Sequence, residues 1–443
     1  MNKIINNFIK KYNISTLNDL KDIINKYKLE LDPEIIYICA EIINPNKKLT
    51  AAYYTDKIIC EEIVKVLPNF DNQNEIKIIE PSVGAGSFLP FIAEKYKNKK
   101  MIEITIVDID SNELELAQLI FNTYYKRIYP NIVIKSINED YLLYEKKDTF
   151  DLVIGNPPYF KINTKDKNYK LYKKNSGLNK TRNMFAYFIN KAIQDGIFVS
   201  LIIPKSFLNA PEYFELRDKI RKLQINSILD FGEKGFKGVK IETINIIINS
   251  KNSPKKTLIK SITKNIEMNQ DQKYITDKKF PSWIIYRNSM FDNFANSLQL
   301  GMFTSFRDRK ITSKITKVKG KYRVLKSRNI ATNKIIDIEC YDKYIDNIDT
   351  LSVGKYLNKK NIVLIPNLSY YPRACFLPID SITDGSVALL KTDIPLCEKD
   401  LTIFETKEFR EYYKIARNFG TRSLNIDSNS IYYFGIRRRI NND

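Results

Sequence analysis

Between about residue 75 and residue 250, short β-rich apolar runs alternate with segments of helical periodicity, a pattern that allows little besides a parallel sheet covered by helices. Strands are predicted at Lys77–Glu80, Ile104–Asp108, Ile132–Ser136, Leu152–Ile154, Ile197–Ile203, Ser227–Phe231 and Ile244–Ile248, with helices such as Ser87–Tyr96, Asn112–Tyr125 and Met184–Gln194 between them. Residues 1–47 read as two short helices. Thr16 and Asp19 make a capping pattern ahead of Leu20, Ile23, Ile24 and Tyr27, and Asp32-Pro33-Glu34 opens a second helix that runs to Ile43. Residues 251–280 are polar and rich in Lys and Asn, as at a domain boundary, and after Trp283 short strands and turns mix with a late helix near Lys407–Arg417. With 443 residues the chain exceeds what one core organises. The division expected is an N-terminal helical segment (1–47), an α/β domain (48–262) and a mixed α+β domain (263–443).

The chain contains no histidine, which removes Ser and Cys triads, HExxH metal sites and imidazole acid–base chemistry. Its five cysteines (Cys39, Cys60, Cys340, Cys375, Cys397) are scattered and form no CxxC pair, so neither a disulfide framework nor a metal site is expected. No apolar run approaches the ~18 residues of a membrane span, and the N-terminus MNKIINNFIKKYN is unlike a signal peptide, so a cytosolic protein is expected. Lys and Arg number 72 against 51 Asp and Glu, a formal charge of +21 that favours a polyanionic partner. Residues 1–250 carry +6 of that charge and residues 251–443 carry +15, so the polyanion is expected mainly on the C-terminal part.

The first predicted strand runs into Glu80-Pro81-Ser82-Val83-Gly84-Ala85-Gly86-Ser87-Phe88 and then a helix. Gly84 and Gly86 permit a sharp turn and close approach of a ligand. The second strand ends in Val107-Asp108-Ile109-Asp110, where a carboxylate can accept both hydroxyls of a ribose. The third glycine of a dinucleotide fingerprint is missing, and Glu80 opens the loop. A carboxylate there repels a pyrophosphate but suits an ammonium and a sulfonium, so S-adenosyl-L-methionine fits better than a dinucleotide. Asp140 after the third strand is placed to accept from the cofactor's adenine amine, and Tyr141 to cover its ring.

The fourth strand leads into Asn156-Pro157-Pro158-Tyr159. Proline fixes its own φ and forces the preceding residue out of the helical region, so Asn156 and Pro157 are held extended. The Asn156 amide oxygen and the Pro157 carbonyl then form a pair of fixed acceptors for the two N–H bonds of an exocyclic amine, drawing its lone pair out of the ring. Attack on a sulfonium methyl needs positioning rather than a general base, so the missing histidine is no obstacle. A base inside a duplex must first be flipped out. Tyr159 is expected to stack on it, with Phe236 of the loop Gly232–Gly238 as the second aromatic.

On these residues the chain resembles the γ-class adenine-specific DNA methyltransferases of bacterial restriction–modification systems, the Taq-type enzymes. The resemblance spans about residues 48–250 in the order Ala52-Tyr53-Tyr54-Thr55, Glu80–Phe88, Asp108, Asp140-Tyr141, NPPY, Phe236. Asp56 stands where the family more often has Pro. The resemblance implies a class I S-adenosylmethionine-dependent methyltransferase fold, a doubly wound, mostly parallel seven-stranded sheet with the last strand antiparallel, followed by a target-recognition domain. It implies cofactor contacts from Thr55, Glu80, Pro81, Gly84, Gly86, Asp108, Ile109, Asp140 and Tyr141. The target adenine would be held by Asn156, Pro157, Pro158, Tyr159 and Phe236. Phosphate contacts are expected from Lys161, Lys173, Lys174 and Arg182 after NPPY and from Arg307, Arg309, Lys310, Arg323 and Arg328 in the basic C-terminal part, with no metal. The implied partner is double-stranded DNA, bound by a monomer, with a companion restriction endonuclease acting on the same site without stable complex. Two other readings stay open on the residues alone: a methyltransferase for structured RNA or a protein amide, and a non-catalytic DNA specificity subunit.

Overall fold

A computed structural model describes residues 2–45, 55–145, 149–233, 241–367, 372–421 and 426–439. They form two compact units, one of residues 1–207 with 212–274 and one of residues 208–211 with 275–443.

The first unit is built on one nine-stranded sheet. Its strands are β1 (Glu75–Pro81), β2 (Met101–Asp108), β3 (Ile132–Asn138), β4 (Phe150–Gly155), β5 (Gly196–Pro204), β6 (Gln224–Gly232), β7 (Thr243–Asn249), β8 (Lys256–Ser261) and β9 (Ile266–Asp271). The order is 3-2-1-4-5-7-6-8-9, with β7 antiparallel to both β5 and β6. The seven predicted strands all appear, and the antiparallel one is where it was expected. All seven residues of β7 are buried, as a strand covered on both faces requires.

The sheet is larger than predicted. β8 pairs parallel to β6 and β9 antiparallel to β8, so the expected boundary at 262 falls inside a hairpin and the unit runs on to Tyr274. β8 buries alternate residues and β9 buries almost none, which is why the segment reads as a linker: an edge hairpin keeps polar side chains toward water.

Helices cover both faces. Thr16 caps α2 (Leu17–Tyr27) with a reciprocal box to Asp19, and Asp32 and Pro33 start α3 (Pro33–Ile43), as predicted. A third N-terminal helix, α1 (Asn2–Lys11), precedes them. After these come α4 (Lys57–Val66), α5 (Leu89–Lys95), α6 (Ser111–Tyr124), α7 (Tyr169–Ser176), α8 (Met184–Asp195) and α9 (Phe214–Ile220). The N-terminal helices are not a detached cap. Leu20, Ile24, Ile36, Cys39 and Ala40 share one apolar core with Leu116 and Ile120 of α6, so the segment 1–47 belongs to the first unit.

The second unit is mixed α+β, with a four-stranded and a three-stranded sheet. Helices Ser289–Asn296 and Lys407–Ala416 pack through aromatic rings, Phe291 stacking on Tyr412 at 4.8 Å, beside a fully buried Trp283. Among the described residues no helix is long and apolar enough to cross a membrane.

Candidate active site

β1 lies between β2 and β4, and the chain departs from it in opposite directions, so a crevice opens beyond the C-terminal ends of β1 and β4. The Glu80–Gly86 loop and Asn156 meet there. A cleft of about 400 Å³ is lined by Asp108, Ile109, Asp140, Tyr141, Asn156 and Pro158, among others. A smaller one of about 80 Å³ is lined by Thr55, Glu80, Val83 and Phe88, and the two share Asn44, Ser82, Gly84, Glu113 and Asn156.

Backbone geometry explains the loop. Gly84 has φ +54°, and a Cβ there would meet nothing within 4 Å, so this glycine serves the turn and the open side of the pocket. Gly86, at φ +82°, is packed: a Cβ would lie 2.8 Å from Leu89 Cδ1 and 3.1 Å from Ala117 Cβ, which fixes how closely helices approach the loop. Ser82 takes φ +54° without being glycine, a strained conformation at the point where both clefts meet. Asp108 accepts from the Gly84 N–H and the Asp110 N–H, each at 3.0 Å, and so ties the second strand end to the loop.

The pocket is acidic, and its carboxyl groups are largely buried. Glu80 is 2% exposed and its Oε2 has no hydrogen-bond partner; burial, with Asp108 nearby, holds its carboxyl well above the usual range. Burial also raises Asp108 against the pull of its two N–H donors. At the other end Asp140 accepts from Leu142 N–H at 2.9 Å and from the Tyr172 hydroxyl on α7. Each oxygen of the carboxylate expected to accept from an adenine amine thus carries one protein hydrogen bond, and the residue lines the larger cleft. Tyr141 is 2% exposed, with its ring 5.3 Å from Phe188, so it forms the pocket floor, whereas Ile109 offers an apolar side chain 68% exposed.

At the NPPY turn the Asn156 Oδ1 accepts from the Tyr159 hydroxyl at 2.6 Å, and its Nδ2 donates to Thr55 Oγ1 at 3.4 Å. The amide is thus held at both ends. Tyr159's hydroxyl also lies 3.0 Å from the Ile202 carbonyl, and its ring packs edge-on to Phe185 at 6.2 Å. Tyr159 is half-buried and packs in part against the core beneath the sheet, Pro157 is buried, and Asn156 and Pro158 line the larger cleft. Phe236 and residues 52–54 lie outside the described residues.

Sequence reasoning passed over Asn44, Ser82, Glu113 and Tyr172. Glu113 carried a readable signal: it shares a helical face with Leu116, Ala117 and Ile120, an acid on an apolar stripe. Of the basic residues, Lys173 and Lys174 end α7, where they complement the helix dipole, and Arg182 is exposed. Lys161 is exposed with its ammonium 3.6 Å from Glu212. Arg309, Lys310 and Arg328 are exposed, Arg328 over the Tyr341 ring at 5.0 Å, and Arg307 is half-buried. Arg323, expected to meet a phosphate, has its guanidinium 2.6 Å from both Asp337 and Asp342, so such a contact would compete with two ion pairs. Among the described residues no His, Cys, Asp or Glu cluster could hold a metal.

The strand order, the glycine loop and the acidic strand end define a class I S-adenosylmethionine-dependent methyltransferase fold. The orphaned Glu80 and Glu113 carboxyl oxygens fit a cationic cofactor, and S-adenosylmethionine is the one that this fold implies. Residues 24–236 match the profile of the Eco57I restriction-modification methylase family. The chain is 28% identical over 214 residues to the modification methylase CviBIII of Paramecium bursaria Chlorella virus NC1A, covering 47% of this chain and 51% of the relative. It is 24% identical over 342 residues to the type II methyltransferase M.AccI of Acinetobacter calcoaceticus, covering 72% and 57%. The chain spans about half the length of the curated relatives it matches. In fold it is similar to the type IIL restriction-modification enzyme MmeI in complex with DNA, with a TM-score of 0.57 and 12% identity over 91% of this chain and 71% of that one.

Proposed function

We propose that the chain is a site-specific DNA adenine methyltransferase, the modification enzyme of a restriction–modification system, acting as a cytosolic monomer alongside a companion endonuclease. The observation that carries the reading is the position of Asn156: it directly follows β4 at the switch point of the sheet and lines both clefts. S-adenosylmethionine supplies an electrophilic methyl group on a sulfonium.

The chain's own part is to hold the nucleophile. Asn156 Oδ1, an amide oxygen with two lone pairs that accepts from Tyr159, is assigned one target N–H, and the Pro157 carbonyl is assigned the other. Thr55 Oγ1, 3.4 Å from the amide's Nδ2, favours the orientation that keeps the oxygen toward Tyr159. Tyr159 and Phe236 are assigned to the everted base, and Asp108 and Glu80 to the cofactor. The acceptor pair suits the exocyclic amine of adenine or cytosine; adenine is chosen on the NPPY form of the turn and on the motif order. DNA is favoured over RNA or protein by the +15 charge of residues 251–443 and by the relatives, which are type II methyltransferases.

Duplex DNA, ribosomal RNA and protein incubated in parallel with labelled cofactor test the reading, with digestion to nucleosides to identify the base. N6-methyladenine in DNA is the expected product. Asn156→Ala should lower transfer by about 10²–10³-fold, the loss typical of a preorganised polar contact, with DNA binding retained. Label in RNA or protein alone, or in cytosine, overturns the respective part of the assignment.

A further inference from the structure

Glu113 lies on the first turn of α6 and is 6% exposed. Its Oε1 accepts from Asn44 Nδ2 at 2.5 Å, and its Oε2 is buried with no hydrogen-bond partner. It is one of the few side chains that line both clefts, so the unsatisfied oxygen borders the space where a cofactor fits. Leaving a carboxyl buried and half-satisfied costs stability, and nothing in the fold needs it: an apolar residue would continue the Leu116–Ile120 stripe. A cationic ligand would complete it.

We propose that Glu113, held by Asn44, is a further cofactor-binding carboxylate that recognises the positive charge of the methyl donor and so favours the donor over the neutral thioether left after transfer. This rests on the methyltransferase reading above. It gives the N-terminal segment a direct part in the site, because Asn44 follows α3.

The charges around Glu113 set how the contact responds to pH. Asp108 at the end of β2 and Asp110 at the start of its own helix face it, and Glu41 of α3 and Glu80 of β1 line the smaller cleft beside it. Lys21 of α2, near the same helix, is committed to Glu115 and Asn112. Burial, then Asp108 and Asp110, raise the Glu113 carboxyl to about 7 against the pull of Asn44, so near neutrality it is partly protonated before the cofactor arrives. A bound cation favours the ionised form. Binding therefore releases a proton below pH about 7, and the affinity owed to this contact falls by about tenfold from pH 8 to pH 6.

The test is calorimetry of S-adenosylmethionine and S-adenosylhomocysteine binding to the full chain at pH 6 and pH 8, in buffers of different ionisation enthalpy so that released protons are counted. Glu80 titrates in the same pocket, so the informative quantity is the difference between wild type and Glu113→Gln. The variant should release about one proton fewer at pH 6, lose about tenfold of the pH dependence and lose most of the donor-over-product preference. Asn44→Ala, which removes the hydrogen bond favouring the ionised carboxyl, should move the pH midpoint of affinity upward and provides a second variant at a partly exposed position. Equal proton release and an equal donor-to-product ratio in wild type and Glu113→Gln overturn the assignment while leaving the methyltransferase reading intact. A wild-type chain that binds neither ligand at either pH sinks that reading as well.

Discussion

Lys205 follows β5 with 4% of its side chain exposed, its ammonium 2.7 Å from Asp230 Oδ2 and 3.9 Å from Glu242 Oε1. Asp230 is fully buried in β6, and the Lys205 backbone N–H is bonded to the Glu242 carbonyl, so the triad joins the ends of β5, β6 and the approach to β7. Replacing Lys205 by Met keeps the volume but leaves Asp230 Oδ2 buried without its cation. Breaking a buried pair from one side costs about 3–5 kcal/mol. For a unit of this size each kcal/mol lowers Tm by roughly 2–4 °C, giving a loss of roughly 6–20 °C. Scanning calorimetry on the full chain measures it, and Lys205→Met with Asp230→Asn should recover more than half of the loss, since the second change removes the stranded charge. A Tm unchanged by Lys205→Met would show that water or another group already satisfies Asp230 and would refute the reasoning.

The two glycines of the cofactor loop should separate affinity from stability. Gly84→Ala meets only the αL penalty of ~1 kcal/mol, and should fold with a Tm within a few degrees of wild type but bind cofactor at least about tenfold more weakly, because its methyl enters the ligand's side of the turn. Gly86→Ala, pressed on Leu89 and Ala117, should lose stability first; equal effects from both in calorimetry and cofactor titration would contradict the distinction. In DNA binding titrated against salt, Arg309→Ala should lower the slope of log K against log salt by about one, whereas Arg323→Ala should leave the slope and lower Tm.

The parts of this chain legible beforehand were those where local chemistry and global fold agree. Ile244–Ile248 is apolar at every position but Asn245, and a strand buried on both faces must be so. NPPY and the glycine loop were legible because proline and glycine dictate backbone angles whatever surrounds them. β8 and β9 were not, since β8 buries only every second residue and β9, at the sheet edge, buries none, so both resemble a linker. Side-chain pairing was the least visible. Nothing local ties Tyr172 to Asp140 or Arg323 to Asp342, and such partners, 32 and 19 residues apart, are set by tertiary packing alone. Asp140 and Arg323, expected to meet cofactor and phosphate, each have a protein partner that no local pattern announces.

The apolar seam joining α1–α3 to α6 bears on how this protein can be dissected. The stretch matching the methylase profile begins at residue 24, inside α2, and stops at residue 236, before β7 has closed against β5. A fragment trimmed to it would take Ile5, Ile14, Leu17 and Leu20 out of the apolar core they share with Leu116 and Ile120 and strand the buried edge of β5. The compact unit that holds the glycine turn instead takes in everything from α1 through β9 apart from residues 208–211, and excising the first helices should weaken binding of the methyl donor through the loss of Asn44's support.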